Sequence, residues 1–325
     1  MKSAKIVGLG KYLPPKRLKN SDLEKIVDTT DQWITTRTGI KERRIAMDSS
    51  SSELAHRAAK RALKDAGLKA DDLDLIIVAS ITPDNFFPST ACRLQNLIKA
   101  RNAAAFDISA ACSGFVYGLT CAWQLIGGGL YKNVLVVGSE VLSSITDWKD
   151  RSTCVLFGDG AGAAVLTQTN KKSFLSAHLG ADGSRGNLLH IPAGGSRMPA
   201  TCQTVDQNLH TIKMKGNELF RVAVRIMVDA AKVALSKADL KTKDLDLLVP
   251  HQANKRIIDA VAKTLKIKDK VYYNLARYGN MSSASCAVAL CEAYQKAKVK
   301  KGDIVVLDTF GGGLVWGSCV LKWTL

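Results

Sequence analysis

The chain has 325 residues, 46% hydrophobic and 23% charged, with a formal net charge of +17. This balance excludes a disordered chain and suits a globular protein with one large core or two domains. No apolar run approaches the length needed to cross a bilayer and "MKSAKIVGLGKYLPP" lacks an apolar signal segment, so a cytoplasmic location is expected. The eight cysteines form no C-x-x-C pair and the five histidines are scattered, which argues against a zinc site or a disulfide framework. The positive charge attracts acidic partners of any kind. Its lysines and arginines are interspersed with Asp and Glu, so a nucleic-acid or membrane-binding module stands only as a different-class alternative.

Residues 58–75, "AAKRALKDAGLKADDLDL", form an amphipathic helix, a polar turn and the start of a strand, "DLIIVAS". Next, "DISAACSGFVYGL" (107–119) places Cys112 where a helix begins. A lone cysteine is more often a small core hydrophobe, but the first turn of a helix offers free N–H groups and a dipole that favour a thiolate. "NVLVVGSE" (133–140) reads as a buried strand. "GDGAGA" (158–163) is expected to be a packing turn leading into the strand-like "AAVLTQ", since glycines alone are weak grounds for a nucleotide site.

Past the polar stretch "TQTNKKS" (167–173) the pattern repeats. "AAKVALSKADLKTKDLDL" (230–247) aligns with 58–75 without gaps, matching at 12 of 18 positions, and runs into the strand "DLLVPHQ". "DIVVLDTF" (303–310) mirrors 133–140, and "YGNMSSASCAVAL" (278–290) mirrors the segment around Cys112. The chain therefore divides into two similar α/β halves, 1–170 and 171–325, each expected to hold a mostly parallel sheet covered by helices. The natural site is the cleft between them. His251 ends the strand that mirrors "LIIVAS", whereas His56, His178, His190 and His210 have no such setting and read as structural. Asn280 opens the mirrored helix as a cap or a site residue. "FGGGLVWGS" offers glycine N–H groups for close approach to a substrate, or simply a tight turn.

"DISAACSGF", "VPHQANKRI", "YGNMSSAS" and "FGGGLVWGS", in this order, resemble the Cys-His-Asn motifs of β-ketoacyl-acyl carrier protein synthase III, a thiolase-superfamily condensing enzyme. "DQWITTRTGIKER", "FPSTAC" and "FGDGAGAAVL" extend the likeness over essentially the whole chain. The resemblance implies a thiolase-like fold of two duplicated halves layered αβαβα. It implies an acyltransferase that condenses an acyl-CoA primer with malonyl-acyl carrier protein, releasing CoA and CO2, with no metal or organic cofactor. Cys112, His251 and Asn280 would be catalytic, and the N–H groups of Cys112 and Gly312 would hold the oxyanion. Substrate would be met by Trp33, Arg37, Arg151, Asn217, Asn254, Phe87, Phe220 and Phe310, with Trp33 and Arg151 clamping adenine and Phe87 reaching across a homodimer. Arg221, Arg256 and Lys263 would dock the acidic carrier protein. The nearest rival is a condensing enzyme or acyltransferase of polyketide or other secondary metabolism. One departure is Met281, where the family commonly has threonine, which is expected to alter the pocket wall.

Overall fold

The computed structural model describes residues 2–325. The first half holds strands β1 (Ser3–Tyr12), β2 (Leu75–Ala79), β3 (Ala104–Ile108), β4 (Asn133–Val141) and β5 (Asp159–Thr169) in one sheet, ordered β1-β5-β4-β2-β3. Its longer helices are α1 (Asp31–Thr38), α2 (Ser51–Ala66), α3 (Thr90–Ile98) and α4 (Gly114–Gly127). The second half holds β6 (Phe174–Ala181), β7 (Leu247–Pro250), β8 (Ile304–Gly311) and β9 (Val315–Lys322), ordered β7-β8-β9-β6, with α5 (Gly216–Lys237), α6 (Lys255–Leu265) and α7 (Ser283–Gln295).

Hydrophobic alternation along the strands produces five layers. In β4, Val134 and Val136 face a central core with α4 and α7, while Leu135 and Val137 face α2 and α3 on the other side. In β8, Val305 and Leu307 join that same central core, and Val306 packs toward α5 and α6. The order α–β–α–β–α follows, with α4 and α7 enclosed between the sheets. An enclosed helix must be apolar or small on all sides, and α7 is buried continuously from Ser283 to Ala293. Its approach depends on the strand glycines. A Cβ on Gly162 would lie 2.5 Å from the Ala287 Cβ. The run expected to be a turn is thus the start of β5 itself, where glycine makes room for a helix.

The duplicated segments agree down to single hydrogen bonds. Asp72 and Asp244 each close the turn before the strand by accepting from the N–H three residues back, Lys69 and Lys241, both at 2.8 Å. Asp74 then accepts from the Asn133 N–H, and Asp246 from the Ile304 N–H, again both at 2.8 Å. These bonds set β4 beside β2 and β8 beside β7 in the same parallel register, Leu75 opposite Val134 and Leu247 opposite Val305.

The sheets depart from the mostly parallel expectation. Only β2 with β3 and β4, and β7 with β8, run parallel; β1–β5, β4–β5, β8–β9 and β9–β6 are antiparallel. The parallel core arises where helices cross over. A short turn such as the one joining β8 to β9 can make only a hairpin. No helix among the described residues is long and apolar enough to cross a membrane.

Candidate active site

Cys112 sits in a single tight turn, Ala111–Ser113, between β3 and α4. Ala111 has φ +43°, a left-handed conformation that L residues rarely occupy, so the turn holds the cysteine at a cost in strain. Gly114 permits it, since a Cβ there would lie 2.9 Å from the Ala79 Cβ. From the other half, Gly311 ends β8 directly against the turn, where a Cβ would lie 2.6 Å from the Cys112 nitrogen. The side chain is 6% exposed. Burial pushes the thiol up to about 12, and the nearby Glu140 adds to this, while the Ser282 hydroxyl and the cysteine's own backbone N–H oppose it. The helix start expected to favour a thiolate is opposed here by desolvation.

His251 follows β7, its N–H bonded to the Asp308 carbonyl of β8 at 2.8 Å. The ring is buried and neither nitrogen has a partner. With nothing to stabilise a charge, burial lowers its pKa to about 3, so the imidazole is neutral and presents one donor and one acceptor. Asn280 is fixed at both ends of its backbone, its N–H on the Leu156 carbonyl at 2.8 Å and its carbonyl accepting from Gly158 at 2.9 Å. Its Oδ1 accepts from the Ser282 N–H at 2.8 Å, which leaves the side-chain NH2 as the group available to a ligand.

These three side chains line one cavity of about 580 Å³, together with Trp33, Arg37, Asn217, Phe220, Arg221, Asn254, Arg256 and Phe310. A two-carbon acyl group occupies little of that volume; a pantetheine arm fills much more of it. Arg151 lies outside the lining but reaches Trp33, its guanidinium 4.9 Å from the ring centroid. Two van der Waals contacts of about 3.5 Å are needed to hold a base between them, so the pair must part for an adenine to enter. Arg256 lies over Phe220 at 5.4 Å. Asn254 is the N-cap of α6, its Oδ1 holding the Arg256 N–H at 2.8 Å and its NH2 the Arg37 carbonyl at 3.1 Å, so much of its hydrogen-bonding capacity is already structural.

Other expected residues are not part of this cavity's lining. Phe87 is 87% exposed beside the equally bare Phe86, away from the cavity. Lys263 is an exposed residue in the last turn of α6. A Cβ on Gly312 would meet the Leu189 carbonyl at 2.9 Å, and its neighbour Gly311 lines the cavity at Cys112. Met281 does not form a pocket wall. It is fully buried in a separate cluster with Leu13, Tyr278, Ala284 and Val288, pointing at Gly160, because the backbone that aims Asn280 into the cavity sends the next side chain away.

Two polar residues beneath the cavity had no place in the sequence reading. Glu140 of β4 is completely buried. Its Oε2 meets Thr82 Oγ1 at 2.8 Å, the Ile81 N–H at 3.1 Å and Ser80 Oγ at 3.2 Å; its Oε1 meets Ser283 Oγ at 2.8 Å. Ser282 is 1% exposed, and its hydroxyl has no partner at full hydrogen-bonding geometry. The one signal available in sequence was a carboxylate inside an otherwise apolar strand, "NVLVVGSEV".

The model of the 3-oxoacyl-[acyl-carrier-protein] synthase III family matches residues 106–183, and that of its C-terminal part matches 235–323. A β-ketoacyl-[acyl-carrier-protein] synthase III from Caldanaerobacter subterraneus subsp. tengcongensis is 58% identical, covering 99% of this chain and 98% of its own. The crystal structure of 3-oxoacyl-[acyl-carrier-protein] synthase III from Aquifex aeolicus matches with a TM-score of 0.92 at 51% identity, covering 98% of this chain and 100% of that one. The priming β-ketosynthase of the R1128 polyketide pathway also reaches a TM-score of 0.92, at 35% identity, covering 99% and 96%. Five layers with a cysteine, a histidine and an asparagine around one cavity define a thiolase-like condensing acyltransferase. More narrowly, the chain belongs to the β-ketoacyl-acyl carrier protein synthase III family.

Proposed function

We propose that this chain performs the initiating condensation of fatty-acid synthesis, joining an acyl-CoA primer to malonyl-acyl carrier protein through an acyl-Cys112 intermediate. The observation that carries this reading is the convergence of Cys112 from one half with a neutral, unpartnered His251 and the free amide of Asn280 from the other. In the first stage the Cys112 sulfur attacks the primer thioester, and the thiol proton ends on the departing coenzyme sulfur. The N–H groups of Cys112 and Gly312 hold the oxyanion. In the second stage malonyl thioester loses CO2 and the resulting enolate oxygen is met by hydrogen bonds from His251 and Asn280. A neutral imidazole suits this task, since it donates without itself needing to lose a charge. The carbanion attacks the acyl group, and the sulfur leaves and regains a proton from water. No step calls for a metal or organic cofactor.

Trp33, Arg37 and Arg151 form the mouth that takes the nucleotide end of coenzyme A, and Asn217, Asn254, Phe220 and Phe310 line the pantetheine path. Arg221, Arg256 and Lys263 supply the rim for the acidic carrier protein. A homodimer is supported by β3, which ends its sheet with an unpaired edge bearing the exposed Phe106, and by the exposed Leu97, Phe86 and Phe87 of the same half. The division at 170/171 is read as the joint between two catalytic halves in a cytoplasmic enzyme. Intact-mass analysis after incubation with acetyl-, branched and longer acyl-CoA thioesters tests the reading and separates housekeeping from polyketide-type primers. A single acyl adduct on Cys112, absent in Cys112→Ser, is expected. Condensation by Cys112→Ser at a rate near the parent's would refute it.

A further inference from the structure

Along the edge of β7 that does not face β8 runs the segment 271–275. Leu248 and Val271 form a parallel bridge, and the Tyr272 N–H donates to the Leu248 carbonyl at 2.9 Å. In a regular parallel ladder the Tyr272 carbonyl would next accept from the residue two places further along β7, which is Pro250 and has no N–H. Gln252 supplies the missing donor. Its Nε2 lies 3.0 Å from the Tyr272 carbonyl and 2.9 Å from the Pro250 carbonyl, while its Oε1 accepts from the Asn274 N–H at 2.9 Å and the Leu275 N–H at 3.3 Å. The side chain is fully buried and every donor and lone pair of the amide is engaged. It stands between the two segments as a peptide group would. A carboxylate of the same length has no donor for the carbonyls, so the position calls for glutamine.

Each segment leads to a site residue. His251 immediately precedes Gln252, and because neither of its ring nitrogens has a partner, the imidazole is aimed by its backbone and packing. That backbone is held by the His251 N–H on the Asp308 carbonyl and by Gln252 on the Pro250 carbonyl. On the other side Leu275 opens the helical turn Leu275–Tyr278, whose preceding residue, Asn274, makes no side-chain cap. Gln252 Oε1 takes the two N–H groups that such a cap would serve. The turn closes with the Gly279 N–H on the Leu275 carbonyl at 2.9 Å, and Asn280 follows. The Asn274 side chain meanwhile donates to the buried Glu292 of α7 at 3.1 Å, which anchors this segment from behind.

We propose that Gln252 is a positioning residue for the second stage, fixing the His251 imidazole and the Asn280 amide at the separation from which both can donate to one enolate oxygen. The inference rests on the roles proposed above for that pair. Gln252 bonds only to Pro250, Tyr272, Asn274 and Leu275, and makes none to the turn Ala111–Ser113 that carries Cys112. Loading of the cysteine is therefore independent of it.

Two variants test this. Gln252→Glu keeps an oxygen for Asn274 and Leu275 but sets its other oxygen against two carbonyls, and Gln252→Met keeps the length with no hydrogen bonds. Cys112 acylation is timed by rapid quench with whichever acyl-CoA of the panel above loads the parent fastest, and decarboxylation by CO2 release from malonyl-acyl carrier protein. Both rates are referred to the fraction of molecules whose Cys112 takes up an acyl group, so misfolded chain drops out. CO2 release is expected to slow about ten- to a hundredfold in kcat, the cost of a misplacement approaching 1 Å, with KM and the acylation rate within about threefold of the parent. In an Asn280→Ala background, Gln252→Glu should cost less than about threefold more, because the pair it holds is already broken. Decarboxylation within threefold of the parent in both variants overturns the role. Equal slowing of both half-reactions, full additivity with Asn280→Ala, or failure of either variant to load any acyl group also overturns it, since each marks a part in holding the fold as a whole. A parent that neither loads acyl groups nor releases CO2 overturns the condensing reading itself and the inference with it.

Discussion

Replacing Gly311 by alanine tests whether the two halves must meet at Cys112 as closely as they do. The added Cβ would stand 2.6 Å from the Cys112 nitrogen, 3.0 Å from its Cβ and 3.2 Å from the Ala111 Cβ, where ordinary contact begins near 3.4 Å. No flexible side-chain end is present to move aside. The first of these atoms is backbone in a turn already strained at Ala111, so β8 and the cysteine turn must separate by roughly 0.8 Å, and a shift approaching 1 Å at the reacting group costs on the order of a hundredfold in rate. Overpacking should also lower stability by about 1–3 kcal/mol. Rapid-quench measurement of Cys112 acylation, with urea denaturation alongside, separates the two effects. Gly183→Ala, where an added Cβ meets nothing within 4 Å, is the control and should change neither. Acylation by Gly311→Ala within threefold of the parent, with the fold intact, would refute the argument that this approach positions the nucleophile.

His251→Ala and Asn280→Ala should each lose decarboxylation of malonyl-acyl carrier protein by about a hundred- to a thousandfold while acylating Cys112 far more nearly at the parent rate; equal losses in both half-reactions would count against the assigned roles. The folded pKa of His251, about 3, lies below its ordinary 6.5, so between those values the unfolded chain holds the extra proton and stability is lost as pH falls through this window, by at most about 5 kcal/mol. Urea midpoints of the parent and His251→Asn across that range check this, the variant showing a shallower loss. Charge reversal of Arg221, Arg256 and Lys263 to glutamate should weaken the apparent affinity for malonyl-acyl carrier protein and leave primer loading largely intact, with added salt acting in the same direction on the parent. An unchanged affinity would remove the docking role.

Much of the architecture is legible in the sequence because it is made by local rules. The helix–turn–strand copies at 58–75 and 230–247 can be aligned by eye, and their turn aspartates act within three residues of themselves in the structure as in the text. Cys112, His251 and Asn280 stand at expected helix starts and a strand end, which periodicity marks as candidates, and their catalytic reading came from the resemblance of the motifs around them to a known family. Whether a strand runs parallel or antiparallel was less visible, since apolar runs look alike in either case, and only the length of the connection between partners decides between hairpin and crossover.

What the tertiary structure alone decided concerns the state of the groups more than their identity. Nothing local distinguishes a thiolate from a thiol at Cys112. Enclosure by both halves pushes the sulfur toward the thiol, and the same enclosure favours a neutral His251. Asn254 lines the cavity, and only the structure shows that its side chain also caps α6 and bonds to Arg37, 217 positions away. Met281 reads as a pocket wall until the direction of its side chain is known. Ser283 and Glu140 meet across 143 positions. Ser282 looks like an ordinary helix cap in the sequence, and only the structure shows that it makes no cap bond. Desolvation and hydrogen-bond commitment are sums over everything that surrounds a group in space, so a linear pattern can name the reacting residues but leaves their protonation to the fold.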